Sequence, residues 1–374
     1  MWITSSIAAA KAPVNIALGN FDGVHLGHQR VMAEILCGPT LGSSSSDQAS
    51  SSVQKLSKLQ NIASECLSPK GFSEESITAL HSGVIASGYS HLPNQGSAEA
   101  IELPLGAATS NPESYATVVT FSPHPQEYFS GTSRSLLTPV AEKTWQLAQL
   151  GIHQLMMLPF NQALAELSPE EFVESILIKG LKAQRISVGS DFRFGKGRSG
   201  DAEGLKAISS KHGVPVVLVP LKYEKGDRIS SSRIRQALAT GDLDAATYLL
   251  GRPYTLTGRV VQGKQLGRTI GFPTANLEIP LKKYLPRKGV YSVRVYGVAP
   301  EPLRGVMNIG NRPTVNGQSL SVEVHVMDWA GDIYGKLLTV SLEGFVRPEQ
   351  KFESLDSLKA QIAQDCQTAI ATLS

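Results

Sequence analysis

Near residue 252 the rhythm of this 374-residue chain changes, and that change constrains its fold more than any other feature. Upstream, short β-compatible runs (14–18, "ATVVTF" at 116–121, 154–158, "RISVG" at 185–189 and "VPVVLVP" at 214–220) alternate with helical segments at 26–36, 140–150, 169–180 and 204–211. In the third helix Ser168 reads as the cap, Pro169 takes the first helical position, Glu171 closes a capping box and Gly180 is the stop. Alternation of this kind predicts a doubly wound parallel sheet. Downstream, "SVRVYG", "LSVEVHVMDW" and "LLTVSLEGFV" repeat every second residue between Gly, Pro and Asp turns, and an amphipathic helix over 355–373 closes the chain. That pattern predicts a small antiparallel β-barrel, which divides the chain into domains 1–251 and 252–374.

The first domain is interrupted at about 38–114 by a stretch rich in Ser, Gly and Pro, including "GPTLGSSSSDQASSSVQ", which reads as a surface insertion without chemistry, its serine-rich part mobile. An apolar fraction of 41% and a charged fraction of 18% are those of an ordinary globular protein. No apolar run approaches the roughly 18 residues needed to span a bilayer, so no membrane role is expected. The first residues lack the regions of a secretory signal, which predicts a cytoplasmic protein. Cys37, Cys66 and Cys366 are too few and too scattered for a disulfide framework or a zinc site. A net charge of +3 gives no reason to expect a nucleic-acid partner, and homo-oligomerisation stays open.

Four patches of the first domain fall at or after strand carboxyl ends: "GNFDGVHLGH" (19–28), "TFSPHP" (120–125), "VGSDFRFGKGRSG" (188–200) and "DRISSSRIR" (227–235). That edge of a parallel sheet is where ligands bind, and a helix start there favours anions such as phosphate. His25 and His28 at a helix start can donate hydrogen bonds to phosphate oxygens and stabilise the charge that builds up during displacement at phosphorus. Gly19, Gly23 and Gly27 permit close backbone approach, and Asp22 can orient a histidine or join a metal shell. In the second domain "GRVVQGKQLGRTIGFPTANL" (258–277) sets Gly263, Lys264, Gly267 and Arg268 ahead of a compact Pro-Thr-Ala-Asn. Its backbone amides and cations can surround phosphates while the Thr274 hydroxyl and Asn276 amide reach Mg²⁺. On the strand "SVEVHVMDW", Val322, Val324 and Val326 face one side, so Glu323, His325 and Met327 face the other. A carboxylate pointing into a phosphate site can take the proton from an attacking hydroxyl.

Taken in order, these motifs resemble a known family. "GNFDGVHLGH" with "ISSSRIR" resembles the H-x-G-H nucleotidyltransferases, and with "TFSPHP" and "VGSDFRFGKGRSGD" the first domain is similar to the FAD-synthetase module of the bacterial bifunctional riboflavin kinase/FMN adenylyltransferases. The second domain resembles the riboflavin kinases through "GFPTAN", "GVMNIGNRPTV", "VEVHVMD", "IYGK" and "VRPEQKF". The resemblance implies that His25 and His28 act on the ATP phosphates, with Gly19, Phe21, Asp22 and Gly27 around them. It makes Arg228, Ser231 and Arg235 contacts of the triphosphate and leaving pyrophosphate. It sets His124, Asp191, Phe192, Arg193, Phe194 and Arg198 around the FMN and nucleotide. In the barrel it implies that Glu323 is the general base on the ribityl 5′-hydroxyl, that Thr274 and Asn276 hold Mg²⁺–ATP, and that Arg347 borders the flavin. Ser122 stands where many relatives carry aspartate, so no acidic role is carried over to that position.

The implied function is two consecutive reactions: phosphorylation of riboflavin to FMN by ATP in the barrel, then adenylylation of FMN to FAD with release of pyrophosphate in the α/β domain. Two rivals stay open on sequence grounds. The first domain could serve another phosphate ester, or the chain could be a flavin-binding regulator without turnover.

Overall fold

A computed structural model describes residues 1–36, 101–102, 113–224, 227–263, 267, 270–314 and 317–374. Apart from 101–102 and 113–114, the insertion at about 38–114 lies outside the described residues, as do Lys264 and Arg268. The described chain falls into two compact units, one built on 1–36, 101–102, 113–134 and 140–230, the other on 135–139 and 231–374. The two helices Ser231–Thr240 and Leu243–Leu250 group with the barrel, whereas the change of periodicity by itself set them with the sheet.

The first unit holds a seven-stranded sheet in the order Ile101–Glu102, Trp2–Thr4, Gln154–Pro159, Tyr115–Ser122, Val14–Leu18, Ala183–Gly189, Val216–Val219. All neighbours run parallel except the two-residue edge strand Ile101–Glu102. Val14, Ile16, Ala17 and Leu18 are all buried, as a central strand covered on both faces requires. The strand Trp2–Thr4 carried no sequence signal beyond three β-favouring residues. From Val14–Leu18 the chain builds outward through Tyr115–Ser122, then crosses back to add Ala183–Gly189 on the other side. The carboxyl end of Val14–Leu18 is therefore a topological switch point, where such sheets open a crevice for ligands.

The local helix signals operate as read. Ser168 Oγ accepts the Glu171 amide at 3.2 Å and Glu171 Oε2 accepts the Ser168 amide at 2.8 Å, which completes the capping box. The stop differs in detail. Gly180 is the last helical residue, its Cα lying so close to Ile7 that a Cβ would come within 2.9 Å, and the left-handed residue is Lys182 at φ 53°. The helix Val140–Gln149 is unusual, because Glu142, Lys143, Thr144 and Gln146 are all buried.

The second unit is a closed antiparallel barrel in the order Tyr254–Val261, Ala275–Glu278, Gly317–Val326, Leu303–Thr314, Gly289–Tyr296, Leu337–Arg347. Period-two patterning fills its interior with Val324, Met307 and Tyr291, paired in one row across three strands. The helix Leu355–Leu373 starts at a second capping box, Ser354 with Ser357, and covers part of the outer face. Met327 lies on that face with Glu323 and His325, yet it is buried with Val290, Val306, Ala369 and Leu373. It is a packing residue rather than a neighbour of the carboxylate.

Candidate active sites

In the sheet unit, the central strand ends at Leu18 and the helix Leu26–Leu36 begins eight residues on, so the chain must reverse within "GNFDGVH". It does so through left-handed backbone at Phe21 (φ 50°), Gly23 (φ 94°) and Val24 (φ 44°). Only glycine adopts such a conformation without strain, and valine is among the residues least suited to it. The result carries His25 and His28 to the helix start with their rings stacked, centroids 3.6 Å apart and planes 14° from parallel. His25 Nδ1 accepts the His28 amide at 3.3 Å, so a neutral His25 carries its proton on Nε2. The Phe21 ring stands edge-on to His28, with centroids 5.2 Å apart. Gly27 gives the His25 ring close access, because a Cβ there would lie 3.1 Å from His25 Cε1 and crowd it. At Gly19 a Cβ would meet Phe21 at 3.3 Å. The first helical turn contains no acidic side chain, which leaves its partial positive charge available to an anion.

On the neighbouring strand end His124 caps the helix Pro125–Ser130, its Nδ1 accepting the Gln126 amide at 3.1 Å. Burial pulls the pKa of His124 down to about 4, the Arg134 and Lys143 charges pull the same way, and Asp22 and Glu127 oppose them. It is therefore a neutral acceptor at pH 7. Asp22 is buried, and its charge acts on His124. Beyond His124, Tyr128 and the largely exposed Phe129 pack edge-on with Phe160.

Arg228 and Asp191, assigned separate roles by sequence, form one ion pair at 2.5 Å with both side chains over two-fifths exposed. Arg193 pairs with Asp201 at 3.2 Å, and Asp201 also caps the next helix through the Gly204 amide. Arg198 is exposed and left-handed at φ 60°, following Gly197 at 64°. Phe194 is buried against Phe172 and Phe192 in the core, and Phe192 is partly buried beside it.

Ser231 and Arg235 belong to the barrel unit. Ser231 opens its helix, and Arg235 donates to the Ser231 and Ser135 carbonyls at 3.3 and 3.0 Å with its guanidinium over the Tyr284 ring. On the barrel's outer face, cross-strand register aligns Asn276, Glu323, Asn308, Val290 and Arg347 in one row over five strands. Thr274 donates to Glu323 Oε2 at 3.5 Å. A Cβ on Gly263 would lie 2.1 Å from Asn276 Nδ2, and one on Gly267 2.3 Å from the Phe272 carbonyl, so both glycines let backbone close tightly on the Thr274–Asn276 segment. His325 Nδ1 lies 2.8 Å from the Pro273 carbonyl and its ring stands edge-on to Phe272, fixing that segment from below. Asn308, within the "GVMNIGNRPTV" segment, is brought opposite Glu323 by strand register. Hydroxyl, amide and carboxylate oxygens at Thr274, Asn276 and Glu323 form a hard donor set that suits Mg²⁺.

Arg347 lies on the same face, but its guanidinium is committed elsewhere. It makes a bidentate pair with Asp365 of the closing helix, at 2.9 and 2.8 Å, with the carboxylate almost fully buried. The pair anchors that helix to the barrel.

Residues 250–373 match the riboflavin kinase family, and residues 7–38 and 104–233 match the FAD synthetase family. The bifunctional riboflavin kinase/FMN adenylyltransferase of Escherichia coli K12 is 45% identical over 254 residues, covering 67% of this chain and 80% of the relative. Those of Haemophilus influenzae and Bacillus subtilis are 40% and 37% identical, each over 68% of this chain and 82% and 81% of the relative. A crystal structure from Streptococcus pneumoniae described as a macrolide-efflux protein aligns over 98% of this chain and 97% of its own, with a TM-score of 0.69 at 26% identity. That description belongs to the other protein; among the described residues here no helix is long and apolar enough to cross a membrane. With both halves matched in order and relatives this similar along most of their length, the chain belongs to the bifunctional riboflavin kinase/FMN adenylyltransferase family.

Proposed function

We propose that the chain performs its family's two reactions in two separate units, with roles divided as follows. In the barrel, the 5′-hydroxyl oxygen of riboflavin attacks the γ-phosphorus of ATP, Glu323 takes the hydroxyl proton, and ADP leaves with the electron pair of the broken P–O bond. Glu323 suits this role because a carboxylate oriented by the Thr274 hydroxyl stands in register with Asn276, beside a backbone that Gly263 and Gly267 allow to close in. Thr274 and Asn276 would hold Mg²⁺, which when bound neutralises phosphate charge that otherwise repels an oxygen nucleophile. Lys264 and Arg268 are assigned to the phosphates on sequence alone.

In the sheet unit, a phosphate oxygen of FMN attacks the α-phosphorus of a second ATP, forming FAD and releasing pyrophosphate. His25 and His28 bind the phosphates at the helix start and offset the charge that accumulates in the displacement. Arg228 of this unit is assigned to the triphosphate and pyrophosphate; for Ser231 and Arg235 that role rests on sequence alone. His124 and the Asp191–Arg198 loop are assigned to the FMN side, and the exposed Tyr128 and Phe129, packed with Phe160, offer ring faces for stacking an isoalloxazine. The observation that carries the division is that the stacked histidine pair and the Glu323 row lie in different compact units and do different chemistry.

The test is chromatography of products from the purified chain given riboflavin, ATP and Mg²⁺, with a parallel reaction started from FMN. FMN appearing before FAD in the first reaction, and FAD in the second, is the expected result. FMN without FAD would refute the assignment of the sheet unit.

A further inference from the structure

Lys143 has no part in the chemistry above, yet its surroundings are those of the histidine site. It projects from the helix Val140–Gln149, is only 8% exposed, and donates from Nζ to the Asn20 carbonyl at 3.0 Å. The Thr120 hydroxyl donates to the same carbonyl at 3.1 Å. Asn20 is the residue that enters the left-handed turn at Phe21, Gly23 and Val24. Backbone in that region persists only where its surroundings over-determine it, and such strain concentrates at functional sites. Further ties hold the same turn: the Gly19 amide to the Val119 carbonyl at 3.1 Å, and Gln29 Nε2 to the Val24 carbonyl at 3.0 Å.

An ammonium is an expensive way to fill a buried position, since an apolar side chain of similar length would pack there without desolvation cost. Burial works against its charge and the buried Asp22 favours it, Asp22 lying inside the turn itself. The charge is thus matched to this turn rather than to the core at large.

We propose that Lys143 is a positioning residue for adenylyl transfer: its Nζ holds the Asn20 carbonyl and keeps the Gly19–Val24 turn in the form that delivers His25 and His28. The functional half of this inference rests on the sheet unit being the adenylyltransferase; the structural half does not.

The test uses the full chain carrying Lys143→Met, with two readouts. Hydrogen exchange of the amides at 19–28 is expected to rise about tenfold while the rest of the sheet stays protected. FMN adenylylation is expected to lose about 10- to 100-fold in kcat, because small misplacements of catalytic groups cost that much, with KM for ATP within about twofold and riboflavin phosphorylation unchanged. Lys143→Gln, which keeps a donor without the charge, should fall between. A looser turn with unchanged kcat overturns the positioning role, as does exchange that rises across the whole sheet. If the methionine variant does not fold, Thr120→Val removes the other donor to the same carbonyl; a loss of about threefold in kcat is expected, and none overturns the clamp. A wild-type chain that protects 19–28 through Lys143 but makes no FAD would refute the adenylyltransferase reading while the clamp itself stood.

Discussion

Replacing Asp365 by alanine should unlock the closing helix from the barrel without touching the phosphoryl-transfer chemistry. Two hydrogen bonds of 2.9 and 2.8 Å join the carboxylate to Arg347, whose side chain is 17% exposed against 4% for Asp365. Opposite charges about 4 Å apart interact by about 4 kcal/mol at an effective dielectric of 20. Removing one member of a buried pair costs about 3–5 kcal/mol, because the survivor stays buried and unmatched. Here Arg347 keeps the Pro348 carbonyl, the Phe352 ring and some access to water, so the lower end, about 3 kcal/mol, is expected. For a unit of this size that corresponds to a fall of roughly 6–12 °C in the barrel's transition, measured by scanning calorimetry on the full chain. A double-mutant cycle with Arg347→Met should return a coupling of about 1–3 kcal/mol. Below the transition, KM for riboflavin should stay within about twofold of wild type. A Tm change under about 2 °C together with a severalfold rise in that KM would refute the reasoning and return Arg347 to the flavin.

Three further outcomes follow from the sites. Glu323→Ala should abolish riboflavin phosphorylation and leave FMN adenylylation, and His28→Ala should do the reverse; loss of both activities in either folded variant, read by product chromatography, would break the division of labour. Gly263→Ala sets a methyl where Asn276 Nδ2 now lies, so KM for ATP in riboflavin phosphorylation should rise about tenfold, and an unchanged KM would show that this contact is not part of the ATP site. His124 has a native pKa of about 4 against an ordinary 6.5, so between these values the unfolded chain holds more protons and stability rises with pH. Above about pH 7 this penalty is absent. Asparagine keeps a capping oxygen without the titration, so His124→Asn should gain Tm relative to wild type at pH 5 compared with pH 7; an equal difference at both would refute the assignment.

What the sequence determined by itself was local: where the period changes from helix to strand, where Ser168 and Pro169 start a helix, and that two histidines fall at a strand-to-helix junction. Such features follow from neighbours a few residues away, because capping and amphipathic spacing act within a turn or two of chain. The face that Glu323 occupies was legible for the same reason, since alternation along one strand separates faces. What only the tertiary structure decided depends on which distant elements become adjacent. Lys143 looks like any solvated helix cation until the sheet order brings it to Asn20, 123 residues away in sequence. That Arg347 pairs with Asp365, and that Phe194 and Met327 are covered by core packing, shows only once the closing helix and the core are assembled. Asn308 joins Glu323 only through strand register. Burial and long-range pairing belong to the assembled fold, and a one-dimensional pattern has no term for them.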